Sequence, residues 1–320
     1  MKTLFFSLVF AFLAGCCSPF DCCKDPVAGN WGLRLPYETM NAGHMIMSRN
    51  AKGDMEALVL WRWASPEKMK NVSVDGRKFS FSHPNGKLKV SGEVTRCGTL
   101  KAEAFDGAGK KIGDVSGWRN KPVEAGVKTS DAVLGEPVDL LADGLDGWTA
   151  MDKNAKFGWK FENGVLSNKL GLKRNGKWAG GGTNIRTKRD DFFDFNLEYD
   201  VRVPARSNSG VYLRGRYEVQ VVDSYGKKTD SHSMASLYGR IVPKNGAEKS
   251  PGSWQHVSVT LYKRHITVEL NGVKVIENAP VEGITGGAID ADETKCGPVY
   301  LQGDHSDADF RNMVLRPVVR

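Results

Sequence analysis

The run from Ser209 to Asp223 (SGVYLRGRYEVQVVD) concentrates side chains that can do chemistry. Successive side chains of a strand point to opposite faces. On that period Val211, Leu213, Tyr217, Val219 and Val221 share an apolar face, and Arg214, Arg216, Glu218 and Gln220 share the other. A carboxylate can take a proton, a guanidinium can hold an oxyanion, and an amide can hold a hydroxyl. The parity assumes a strand that continues through Gly215. The plainer reading of such a face is a solvated surface with a cross-strand ion pair. The flanks Ser207-Asn208-Ser209-Gly210 and Asp223-Ser224-Tyr225-Gly226 are turn-formers whose polar groups also suit sugar hydroxyls.

Two further places hold reactive or stacking groups. Asp304-His305 follows a strand-like run, and histidine titrates near neutrality. The plain alternative is a polar turn. Trp178 precedes Ala179-Gly180-Gly181-Gly182 and suits either a sugar face or loop packing. Those glycines lack the strand–turn–helix setting of a nucleotide site. Glu218, Asp223, Asp304 and His305 are oxygen and nitrogen donors that could take a catalytic divalent ion. No close-spaced motif compels a metal, and a structural calcium held by backbone carbonyls is equally compatible. No cofactor is required.

These residues need strands to position them. After residue 24 no segment keeps a helical apolar period for three turns. Short alternating runs broken by Asp75-Gly76, Asn85-Gly86, Asp106-Gly107 and Asn271-Gly272 predict an all-β chain. Residues 25–121 predict seven or eight strands in a small antiparallel barrel or sandwich. The opening Gly29-Asn30-Trp31 is similar to that of lipocalin-like barrels. Trp31, Trp61, Trp63 and Trp118 are read mainly as core, with a sugar-stacking platform as the alternative. Residues 122–137 lack period and aromatics and read as a linker. Residues 138–320 predict about a dozen strands in a two-sheet jelly roll, with Pro204 ending one of them.

The chain has 320 residues, 26% of them charged, with a formal charge of +8. This is ordinary globular composition and excludes a polytopic membrane protein. With no basic block or zinc finger, no nucleic-acid partner is expected. Lys2 and the apolar run Leu4–Phe12 predict a signal peptide over residues 1–15. Leu13-Ala14-Gly15-Cys16 resembles the lipobox of bacterial lipoproteins, so lipidation at Cys16 is expected; a plain secretory signal is the alternative. The chain is then exported and tethered by residues 16–24, at the outer membrane, in the periplasm or at the cell surface, with the lipid as its only membrane attachment. Cys17, Cys22, Cys23, Cys97 and Cys296 would remain as thiols or disulfides.

The second region resembles the 3-keto-disaccharide hydrolase domain family, also called DUF1080, whose fold is a concanavalin-A-like jelly roll. The resemblance is carried by Asn208–Arg214, Tyr217–Asp223, Ser236–Gly239, Gly252–His256, Leu270–Gly272, Gly297–His305 and Phe310–Asn312, in order across residues 138–320. It does not reach residues 1–135. It implies cleavage of glycosidic bonds in glycosides oxidised at C3. A 3-ketone acidifies the C2 proton, so a base can form an enolate, the C1 group can leave, and water can then add. On that reading Glu218 is the general base, and His305, oriented by Asp304, is the acid. Arg214 stabilises the enolate oxygen. Asn208, Gln220, Asp223, Tyr238 and Gln302 hold hydroxyls, and Trp178 stacks on a ring. A separate sugar 3-oxidoreductase must supply the ketone.

Two other functions remain open from sequence. One is a non-catalytic carbohydrate-binding jelly roll. The other is an ordinary glycosidase, whose signature on such folds places carboxylates at alternate strand positions; here they read Glu218-x-Gln220.

Overall fold

The computed structural model describes residues 25–319. The expected signal peptide, lipobox and tether of residues 1–24 lie outside the described residues. The described chain folds into two β units joined by a strap.

The first unit is an antiparallel meander: β1 Gly29–Arg34, β2 Ala42–Arg49, β3 Met55–Trp61, β4 Glu67–Lys68, β5 Lys70–Asp75, β6 Lys78–Ser82, β7 Leu88–Val94, β8 Thr99–Asp106 and β9 Lys111–Arg119. The strand order is β4-β3-β2-β1-β9-β8-β7-β6-β5. β4 and β5 stand at opposite ends of that order, yet only Met69 separates them in the chain. The Met69 amide also donates to the Ala57 carbonyl of β3. The sheet therefore closes into a barrel, which removes the exposed edges that an open sheet would carry. Trp31, Leu33, Met45, Met47, Val59, Phe79, Phe81 and Val115 form its core. Turns fall at the Asp-Gly and Asn-Gly pairs, with Gly76 and Gly86 at positive φ.

Residues 122–137 lie against the second unit. Thr129 donates its amide to Asn278 Oδ1 at 2.8 Å, and its hydroxyl lies 2.6 Å from Thr267 Oγ1. Asn278 donates back to the Val127 carbonyl.

The second unit contains β10 Val138–Asp139, β11 Trp148–Ala150, β12 Trp159–Glu162, β13 Val165–Asn168, β14 Ile185–Thr187, β15 Phe195–Arg202, β16 Asn208–Leu213, β17 Tyr217–Val222, β18 Gln255–Tyr262, β19 His265–Leu270, β20 Val273–Pro280, β21 Tyr300–Leu301 and β22 Ala308–Pro317. They form two antiparallel sheets. One runs β12-β13-β22-β15-β18-β19-β20, with β10 beside β22, and the other runs β11-β14-β21-β16-β17. Leu197, Tyr199, Val201, Val257, Val259 and Val268 of the large sheet meet Val211, Leu213, Val219, Val221 and Leu301 of the small sheet in one core. Each such side chain contributes about 1.5–3 kcal/mol on burial. This is the jelly-roll sandwich that the period-2 pattern predicts. Asn271 and Gly272, both at positive φ, close the β19–β20 hairpin, and β15 stops two residues before Pro204.

The two units share apolar packing. Ala42 and Leu60 of the barrel belong to the core of the second unit, and Trp118 packs against it.

Candidate active site

The small sheet positions the reactive groups. β16 and β17 pair in antiparallel register, with Tyr212 opposite Glu218 and Gly210 opposite Gln220. Between them Arg214 (φ 53°) and Gly215 (φ 65°) turn the chain back. Ser209–Asp223 is thus a hairpin and not one straight strand, which corrects the continuous parity expected from sequence. The odd-numbered apolar residues still face the core, because Leu213 pairs with Tyr217 across the turn. Asn208, Gly210 and Tyr212 of β16 therefore share the opposite face with Glu218 and Gln220 of β17. β21 adds Tyr300, which stands beside Tyr212 in the register.

On this face lies a pocket of ≈ 260 Å³. Its lining includes Glu218, Tyr212, Tyr300, Asn184, Asn208, Gln302, Tyr238, Asp304 and His305, together with Gly286, Gly287 and the barrel residues Trp63 and Ala64. Glu218, 2% exposed, forms the floor. Tyr212 and Tyr300 stack with centroids 3.7 Å apart, and the Tyr300 hydroxyl donates to the Gly287 carbonyl at 2.6 Å. The Tyr212 hydroxyl lies 2.7 Å from Glu218 Oε2 and 2.8 Å from the Gly286 carbonyl. One hydroxyl has one proton to give. When Glu218 is protonated it donates to Tyr212, and Tyr212 donates to Gly286, so every group is satisfied. When Glu218 is ionised, it competes with the Gly286 carbonyl for that proton. Burial pushes the Glu218 carboxyl up to about 8, with the negative charge of Asp304 adding to the rise and the Tyr212 hydrogen bond opposing it. Gly210 makes room for the carboxyl: a Cβ there would strike Glu218 Oε1.

At the rim, His305 Nδ1 lies 2.5 Å from Asp304 Oδ1. That hydrogen bond raises the imidazole above its ordinary value, against the effect of its partial burial. Asn184 Oδ1 accepts from the Gly303 amide and fixes the start of this turn. The glycine-rich loop supports it from behind, where the Gly181 amide donates to the Asp304 carbonyl. The buried Oε1 of Gln302 has no hydrogen-bond partner, and neither does Oε1 of Gln220, whose Nε2 donates to Asn208 Oδ1. Buried acceptors without donors are rare, and Gln302, which lines the pocket, suits a hydroxyl donor from a ligand, whereas Gln220 does not line it. The Tyr238 hydroxyl makes no hydrogen bond among the described residues.

The structure brings together Glu218, Asp304, His305, Asn208, Tyr238 and Gln302, with Gln220 behind Asn208. It does not bring in Arg214, Asp223 or Trp178. Arg214 is 0% exposed; its Nη2 donates to the Glu293 carbonyl and the Tyr217 hydroxyl, and it lies over the Phe193 ring. Its place in the hairpin turn points it away from the Glu218 face, so it cannot meet a substrate oxygen. Asp223 accepts from the Arg206 amide, and the Trp178 indole donates to the Arg206 carbonyl. Both hold the loop before β16. With Asp223 outside the pocket, the four donors that could take a divalent ion do not converge. Among the described residues no group of three or more His, Cys, Asp and Glu side chains is arranged to hold a metal ion. Cys97 and Cys296 are free and exposed.

Sequence reasoning does not place Tyr212, Tyr300 or Asn184 in the site, and it reads Trp63 mainly as core, whereas the structure leaves Trp63 50% exposed at the pocket. Tyr212 shares the parity of Glu218, and a turn placed at Arg214-Gly215 would have revealed its register. The sugar-stacking alternative names Trp63, but nothing local ties it to Glu218, because it arrives from the other unit.

A family model described as the 3-keto-alpha-glucoside-1,2-lyase-like domain matches residues 136–316. No curated protein matches the chain. Among solved structures, a protein of Parabacteroides distasonis ATCC 8503, provisionally named a glycosyl hydrolase, is 24% identical; the match covers 62% of this chain and 94% of that one, with a TM-score of 0.45. A second structure from that organism, under the same provisional name, is 22% identical over 57% of this chain and 100% of its own, with a TM-score of 0.44. The carbohydrate binding module CBM66 of Bacillus subtilis is 14% identical over 52% of this chain and 93% of its own, with a TM-score of 0.35.

Proposed function

The chain belongs to the 3-keto-alpha-glucoside-1,2-lyase-like domain family, and from that membership we propose that it cleaves the glycosidic bond of glycosides oxidised at C3. The observation that carries the proposal is the convergence of a buried carboxyl, Glu218, with the Asp304–His305 pair in one pocket. A binding module needs no such base.

The steps follow from the chemistry of a 3-ketone. Glu218, ionised, takes the C2 proton, and the electron pair passes to the ketone oxygen as an enolate. A carboxylate of high pKa is the stronger base for this task. The enolate collapses, C1=C2 forms, and the C1–O bond breaks. His305, protonated and held by Asp304, gives its proton to the departing oxygen. The product is an unsaturated 3-keto sugar, in keeping with the 1,2-lyase wording of the family. Hydration runs the same groups in reverse. Neutral His305 takes a proton from water as its oxygen joins C1, and Glu218 returns a proton to C2. Both groups end as they began. With Arg214 buried elsewhere, Tyr238 takes its role: its hydroxyl is the free donor for the enolate oxygen. Gln302 and Asn208 hold ring hydroxyls, and Gln220, which donates to Asn208 Oδ1, orients Asn208 from behind.

The test is to incubate the protein with a 3-keto-disaccharide and with its unoxidised parent. Release of 3-keto-glucose or its unsaturated precursor from the ketone alone is expected, with solvent deuterium entering C2. Equal turnover of both sugars would overturn the reading in favour of an ordinary glycosidase. Binding of both without turnover would leave a carbohydrate-binding module.

A sugar 3-oxidoreductase is the class of reaction that must supply this substrate. The signal-like residues 1–15 and Cys16 support an exported, lipid-anchored protein at the outer membrane or cell surface. Recovery of the Cys16→Ser variant in the soluble fraction, against the wild type in membranes, tests that placement.

A further inference from the structure

Trp63 and Ala64 line the Glu218 pocket although they belong to the barrel and lie outside the family-matched residues. The loop between β3 and β4 carries them there. Its backbone is left-handed at Arg62 (φ 73°) and at Ala64 (φ 61°), on both sides of Trp63. Non-glycine residues adopt this conformation only where the surroundings impose it.

Those surroundings come from both units. The Gly287 amide donates to the Arg62 carbonyl at 2.9 Å. Gly286 has no side chain where the backbone of Ala64 passes; a Cβ there would strike it. Ser65 Oγ lies 2.7 Å from His232 Nε2, and the His232 ring meets Tyr238 edge-on at 5.0 Å. Within the barrel, the Arg62 guanidinium sits over the rings of Tyr37 and Trp63, at 4.4 and 4.9 Å from their centroids, and donates to the Thr39 carbonyl. The loop is thus fixed at the peptide that also carries the Gly286 and Gly287 carbonyls, the acceptors of Tyr212 and Tyr300.

The result is an indole at the rim of a sugar-sized pocket, 50% exposed, while Glu218 on the floor is 2% exposed. A pocket of ≈ 260 Å³ is at the small end of ligand sites, which suits one enclosed ring. The next ring of a substrate must pass the rim. An aromatic face held rigid beside such an opening is suited to stack on the apolar face of a pyranose. We propose that the barrel completes the substrate pocket, and that Trp63 is a specificity-determining wall that stacks on the sugar ring beyond the one enclosed at Glu218. The inference rests on the pocket being the sugar site proposed above.

The test uses the full chain. The kcat/KM for a 3-keto-disaccharide is divided by that for the methyl 3-keto-glycoside, which lacks the second ring. In Trp63→Ala this ratio is expected to fall about tenfold, while Trp63→Phe restores most of it. A merely structural Trp63 would slow both substrates alike. An unchanged ratio in Trp63→Ala overturns the inference while leaving the proposed reaction standing. If the wild type turns over neither sugar, the proposed reaction fails, and the wall is then judged by calorimetric titration with the unoxidised disaccharide. About tenfold weaker binding in Trp63→Ala upholds the inference, and equal binding or none in the wild type overturns it.

Discussion

Glu218 is the residue on which the chemistry turns, and its environment makes two opposite demands. Burial favours the neutral acid, and the Tyr212 hydroxyl favours the carboxylate. With the carboxyl near 8, kcat/KM is expected to rise with pH through about 8 as the base form appears. Glu218→Gln should lower kcat by about 10²-fold or more and abolish that limb. Tyr212→Phe removes the opposing hydrogen bond, so its ascending limb should move to higher pH; a limb at the wild-type position would remove Tyr212 from the account. Stability follows with a definite sign. The folded value lies above the ordinary 4.5, so the contribution of protonated Glu218 is complete below that pH and is lost as pH rises through about 8. Glu218→Gln stays neutral throughout. Its Tm relative to the wild type should therefore climb between about pH 5 and pH 9. A constant difference would mean that Glu218 titrates normally.

At the scale of the element, the β16–β17 hairpin determines which side chains meet. The turn at Arg214-Gly215 returns the chain so that Tyr212 faces Glu218. It also directs both arginines away from the pocket: Arg216 pairs with Asp290 at 3.0 Å, just as Arg214 binds the Glu293 carbonyl. Gly210 is the narrow point of this hairpin. Gly210→Ala would push the Glu218 carboxyl aside without disturbing a positive-φ backbone. A displaced base costs on the order of 10²-fold in rate, so kcat should fall by about that much with an unchanged circular dichroism spectrum. A fully active variant would show that the carboxyl has room to spare. The alternation of Val211 to Val221 was legible in the sequence, as were the Asn271-Gly272 turn and the stop before Pro204. Arg214 was misplaced because a three-residue turn preserves parity. The apolar pattern reads the same whether the chain turns or continues.

Across the whole molecule, the two units are bound by more than the strap. Glu293 is buried at their junction, where Oε2 accepts from Asn120 of the barrel at 2.9 Å and pairs with Arg264 at 3.1 Å. Arg264 in turn donates to the Lys121 carbonyl. His44 of the barrel, fully enclosed, lies 3.3 Å from Arg240 Nη2, and burial lowers its pKa. Leu60 and Ala42 extend the second core into the first unit. Calorimetry should therefore record one cooperative transition. Asn120→Ala leaves a buried carboxylate short of a donor, which costs about 1–3 kcal/mol. It should lower the midpoint of that single transition. Two transitions, with only one displaced, would mean that the units melt independently.

Local periodicity and turn chemistry are enough to encode an all-β chain, a small barrel-like unit before a jelly roll, and a carboxylate, amide and histidine set at Glu218, Gln220 and His305. Strand period and hairpin residues act over a few positions, so one chain suffices to read them. Which of these groups share a pocket depends on long-range packing. Register across β21, β16 and β17 brought in Tyr212 and Tyr300, the hairpin turn took Arg214 out, and the docking of the barrel delivered Trp63. These are contacts between segments far apart in the chain, and they are set by how the sheets and the two units pack, which no local pattern records.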